Sequence, residues 1–122
     1  MSQNDFKVSK KAQELLVHTY KLTSNSDRYP KKYRHSLADR MQLLSMDIYE
    51  TLIRANRTSN LSSKRLRCEY ITQAITCCDF LLKYIELSVE LGILSIKSAK
   101  YWSELASDVK HLSLGWRKSE QK

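Results

Sequence analysis

Arg28, Lys31, Lys32, Arg34 and Arg40 lie within one short stretch of the chain, "RYPKKYRHSLADR", with a single acid, Asp39. Cations at this density neutralise phosphates, and the counterions released supply affinity. Five positive charges less one negative make +4, half of the chain's net charge of +8. Tyr29 and Tyr33 flank the two lysines. Their rings have two uses: stacking on unpaired bases, or packing against the end of a helical bundle. His35, set among cations, reads as a phosphate or surface contact and not as a base.

The cations continue along the chain. Arg40 and Arg54 share one shoulder of a helix with Asp47 between them, spaced by seven, which suits an ion network or a phosphate contact equally. Arg57, Lys64, Arg65 and Arg67 surround a connector further on, and Arg117 and Lys118 close the last helix, where they also complement its dipole. These twelve Lys/Arg are the candidate nucleic-acid contacts. No helix presents the Asn, Gln and Arg of a groove reader, so contacts to shape and backbone are expected over base readout. An excess of 21 Lys/Arg over 13 Asp/Glu also fits an acidic protein partner or an anionic surface.

Other chemistries find little to work with. A di-metal bundle needs inward carboxylates and Glu-x-x-His pairs. The nearest approach is Glu14 with His18, four apart and without a second motif. His18, His35 and His111 fall in three different segments. Asp47 with Glu50 and Glu86 with Glu90 have the spacing of solvated helical acids. With Gly92 and Gly115 as the only glycines, no phosphate-cradling loop is available. We expect no catalysis, no metal and no cofactor. Cys68, Cys77 and Cys78 are odd in number and lack metal or redox spacing, so reduced thiols in the cytoplasm are expected. Cys77 and Cys78 read as core filling. The opening "MSQNDFKVSKK" lacks the apolar centre of a signal peptide, and no apolar run nears the ~18 residues of a membrane span.

The elements that must position these residues are helices. A chain of 122 residues with two Gly and one Pro favours one domain of long, uninterrupted helices. The periodicity predicts helices over about 5–22, 32–57, 63–91 and 95–118. Tyr29, before Pro30, is pushed out of helical geometry. Ser62 or Ser63 is expected to cap the third helix and Ser95 the fourth, with Gly92 in the left-handed conformation between them. Residues 1–4 and 119–122 are expected to fray. The fold class is all-α, an antiparallel up-down four-helix bundle over residues 1–122.

The third helix carries two apolar stripes. One runs Leu66, Tyr70, Ala74, Cys77, Leu81, Ile85, and the other Ile71, Ile75, Cys78, Leu82, Val89. One face suffices for a small bundle, so the second stripe is expected to be an oligomer interface. The alternative is that it packs on the chain's own helices.

"YPKKYRHSLADRMQLLSMDIYETLIRAN", "LGILS" and "HLSLGWRKS" resemble a family of small four-helix bundle proteins. That family comprises the accessory variability determinant (Avd) proteins of diversity-generating retroelements and the proteins of 23S ribosomal RNA intervening sequences. The resemblance covers about residues 6–118 and rests mainly on the basic segment after the proline, Leu37 with Arg40, Ala55-Asn56 and Gly115-Trp116. Helix lengths and the "LGW" ending fit the retroelement branch better. The resemblance implies a pentamer with a basic surface that binds nucleic acid and a partner reverse transcriptase, aiding mutagenic copying of template RNA into cDNA without catalysing it. Lys31, Lys32, Arg34 and Arg40 become the leading contacts. The alternative function is a structural bundle of the intervening-sequence type with an acidic protein partner.

Overall fold

The structure, a computed structural model, describes residues 3–58 and 64–121. Four α-helices and no strands are present among them: α1 (Gln3–Thr23), α2 (Asp39–Arg57), α3 (Lys64–Glu90) and α4 (Ile96–Glu120). α1 packs on α2 and α4, and α3 packs on the same two, so the helices close into a ring. Each helix therefore needs an apolar face broad enough for two neighbours. Val8, Leu15, Met41, Ile48, Leu52, Ile71, Leu81, Ile85, Trp102 and Val109 fill the interior, each 0–1 % exposed.

Three buried hydroxyls pin the ring in the same way. Thr19 donates to its own Leu15 carbonyl at 2.7 Å and accepts from Trp102 Nε1 of α4 at 3.0 Å. Thr23 donates to the Thr19 carbonyl at 2.7 Å and accepts from Gln42 Nε2 of α2 at 2.9 Å. Ser88 of α3 donates to the Tyr84 carbonyl at 2.8 Å and accepts from the Tyr29 hydroxyl at 2.8 Å. A hydroxyl offers one donor and two lone pairs. Committing the donor to the residue's own helix leaves a lone pair for a neighbour's N–H or O–H. The result is a polar contact that leaves neither group unsatisfied in the core.

The expected terminators act as their chemistry dictates. Gly92 has φ +74°, and the amide of Ile93 donates to the Ser88 carbonyl at 3.0 Å while that of Gly92 donates to Val89 at 3.0 Å. This is the six-to-one and five-to-two pairing of a Schellman end. The Ser95 hydroxyl accepts from the Ser98 amide at 3.1 Å and caps α4. The expected Ser62 or Ser63 cap lies outside the described residues.

Three expectations are corrected. The second helix does not begin as a regular helix: a 3₁₀ turn (Lys31–Tyr33) and a π turn (Arg34–Ala38) precede α2. Residues 119 and 120 do not fray, because Glu120 is held by Arg67 and Trp116. Ile71, Ile75 and Cys78 are not an unpartnered stripe. They are buried inside this chain, and Leu82 and Val89 pack partly against the same core. Both stripes of α3 thus contribute residues to this chain's own core, which is the alternative left open above. The exposed apolar residues of α3 lie elsewhere: Phe80, Leu87 and Leu91, seven and four apart, share one outer face.

Candidate nucleic-acid interface

The turn after α1 delivers the basic segment. Asn25 organises it: its side-chain oxygen accepts from the Asp27 amide at 2.9 Å, and its carbonyl accepts from the amides of Arg28 and Tyr29 at 3.0 and 2.8 Å. Tyr29 then turns inward and is 4 % exposed. Its ring meets Trp102 edge-on with centroids 6.4 Å apart, and its hydroxyl ends on Ser88. Burial pushes the Tyr29 phenol up, with the Ser88 hydrogen bond a smaller, opposing cause. Tyr29 is thus an anchor, and base stacking is closed to it. Tyr33 is half-buried, and the Lys32 ammonium sits 5.2 Å from its ring centroid, a cation–π distance.

With Tyr29 fixed, Pro30 starts the turn, and Lys31, Lys32 and Arg34 stand on the surface. Arg40 is exposed one turn further on. None of these four makes an ion pair with a described carboxylate. Asp39 is taken instead by His35, whose Nδ1 lies 3.1 Å from its Oδ2. Arg28 donates to Ser98 Oγ at 2.9 Å, joining the turn to the start of α4. The structure therefore brings Arg28, Lys31, Lys32, Arg34 and Arg40 to one end of the molecule.

The remaining seven candidates divide differently. Arg54 and Arg57 are exposed at the end of α2, and no ion pair among the described residues links Arg40, Asp47 and Arg54. Lys64 and Lys118 are exposed, and Arg65 pairs with Glu69 at 3.2 Å on the surface. Arg117 is half-buried and donates to Thr72 Oγ1 at 3.1 Å.

Arg67 is a correction. It is 8 % exposed, pairs with Glu120 at 3.0 Å, and donates to the Thr58 carbonyl where α2 ends. One guanidinium therefore ties the start of α3 to the ends of α2 and α4 and has no surface to offer a phosphate. Its position explains this. Arg67 is four residues before Ile71 on the inward face of α3, Arg65 falls outside that face, and Lys64, although seven before Ile71, is exposed as the first residue of the helix.

His18 and the thiols are structural by the same geometry. The His18 ring meets Tyr101 edge-on at 4.9 Å and Trp102 at 6.2 Å. Burial, then Lys21 and Arg28, hold it below the usual imidazole range. Burial also raises Cys77, with Asp47 adding to the effect, and pushes Cys78 up to about 12. Among the described residues no three His, Cys, Asp or Glu side chains converge as a metal cluster. No described helix is long and apolar enough to cross a membrane.

Sequence reasoning passed over the lysines of α1. Lys7, Lys10 and Lys21 are exposed. At 100° per residue they fall within ~60° of one another on that helix. The signal was in their spacing, but the denser cluster after the proline drew the reading away. Neither a protein-family model nor a curated protein nor a solved structure matches this chain.

Proposed function

We propose that the chain is a non-catalytic accessory protein of a diversity-generating retroelement. In this reading it is an antiparallel up-down bundle that assembles as a homo-oligomer, a pentamer by resemblance, in the cytoplasm. Its basic surface binds template RNA or cDNA and a partner reverse transcriptase and so supports mutagenic reverse transcription. The observation that carries the nucleic-acid part is the proline bend: Lys31, Lys32 and Arg34 are exposed, without described carboxylate partners, on a turn whose first residue is anchored in the core. A rigid cationic turn contacts phosphates without having to order itself first. Assembly is supported by the outward face of α3, where Phe80 is 55 % exposed in line with Leu87 and Leu91.

Anisotropy of a labelled single-stranded RNA, titrated from 50 to 200 mM salt, tests the binding. The expected result is a steep loss of affinity, with a log–log slope about 2 units shallower when Lys31, Lys32 and Arg34 are all changed to Gln. Affinity that ignores salt removes the reading. The acidic-partner alternative predicts capture of a protein that survives nuclease treatment, with no RNA shift.

A further inference from the structure

A second cationic surface runs between α1 and α4. Lys10, Glu14, Val17, His18, Lys21 and Tyr101 border one hollow of about 380 Å³. Lys7, Lys10, Glu14 and His111 border a second of about 600 Å³. Lys10 and Glu14 belong to both, so the two hollows are one groove. From Lys7 to Lys21 the groove follows α1 for roughly 21 Å, at 1.5 Å per residue. Arg28 borders neither hollow, but its charge, like that of Lys21, is felt at His18.

The groove's acids are partly engaged. Lys11 lies 3.3 Å from Glu14 and 3.9 Å from Asp108, so one lysine is spent on both. Lys7, Lys10, Lys21 and Arg28 have no described carboxylate partner. In the middle of the row stands Tyr101, 56 % exposed. His18 meets its ring edge-on and is itself braced by Trp102, a core residue with no exposure. A surface tyrosine supported in this way is a fixed platform.

We propose that this groove is a track for single-stranded nucleic acid: Lys7, Lys10, Lys21 and Arg28 follow the phosphates and Tyr101 stacks one base. The inference rests on the nucleic-acid reading above and extends it from the proline bend along α1. A cationic groove interrupted by an aromatic face suits a single strand, whose bases are free to stack. A duplex hides those faces, and an acidic peptide needs the lysines without needing the ring. His18 acts as a positioning residue that holds Tyr101 upright.

The experiment measures binding of labelled oligo(dT) and oligo(U) to the full chain and to three sets of variants. Tyr101→Ala is expected to bind about tenfold more weakly, while Tyr101→Phe keeps the affinity. Lys10→Gln with Lys21→Gln is expected to reduce the salt slope by about 1.4. Both changes lie on exposed positions, and an unchanged helical circular dichroism spectrum checks the fold. If Tyr101→Ala and the double lysine variant bind like the parent while the Lys31, Lys32, Arg34 triple variant does not, the groove is not a track, and the bend reading survives. If the parent binds no polynucleotide at low salt, the underlying reading falls and takes the track with it. Binding of polyglutamate that needs the lysines and is indifferent to Tyr101, without binding of either oligonucleotide, assigns the groove to an acidic protein and overturns the proposal.

Discussion

At the proline bend, Lys31, Lys32 and Arg34 stand in solvent and reach no described carboxylate. Across the molecule, where α2 ends and α3 begins, Arg67 is buried, holds Glu120 at 3.0 Å and donates to the Thr58 carbonyl. Both regions are basic in sequence. The bend keeps its cations outside because its inward positions carry apolar side chains, among them Tyr29, whose hydroxyl ends on Ser88, and Leu37. The far end turns a cation inward because a position on the core face of α3 carries arginine. A run of Lys/Arg is therefore a set of positions with different fates, set by where each one falls around and along its element and by the partners it meets there.

Substitutions at the two ends should separate the two uses, and the largest effect belongs to Arg67. Arg67→Ala strands Glu120 and the Thr58 carbonyl and should cost about 3 kcal/mol of stability by denaturant unfolding. A loss near zero would return Arg67 to the surface cations and erase the contrast. At the bend, Tyr29→Phe keeps the ring packing and removes the hydroxyl from Ser88. The expected cost is ~1 kcal/mol, with weaker RNA binding as the turn loosens. If affinity is untouched, the anchor does not position the cations.

The next effect is read against pH. His18 is held below its ordinary value when folded, so the unfolded chain binds the proton more readily. Stability from this group is complete above the unfolded value near 6.5 and falls as pH drops through it. The melting temperature should decline from pH 7.5 to 5.5, and His18→Gln should flatten that decline. Smallest of all, Arg65→Ala breaks only the exposed pair with Glu69 and should change stability by less than about 0.5 kcal/mol. An effect approaching that of Arg67→Ala would show that exposure does not govern these cations.

The helices were legible because their signals are local. The Gly92 end and the Ser95 cap follow from single residues, and the four helices follow from apolar spacing. What is not local was misread. Leu66 and Leu81 share a lane on the wheel, yet Leu81 is buried and Leu66 is 39 % exposed, because burial depends on position along the ring as well as on the lane. The inward turn of Arg67 depends on Glu120, fifty-three residues away. The π turn left no mark, since "RHSLA" satisfies an ordinary helical pattern. The bend cluster was visible as charge density. The α1–α4 groove was not, because it exists only where two helices distant in sequence lie side by side.

A π turn holds one residue more than the α turn it replaces, and Arg34–Ala38 places that surplus between the bend and α2. Loss of one residue there, Ser36 for example, would let the segment tighten to an ordinary turn while everything from Asp39 onward keeps its register. The lysines upstream would swing by about 100° around the helix axis. A single codon thus separates two directions in which the same positive charge can point, and the wide turn is where descent could re-aim it without disturbing the core.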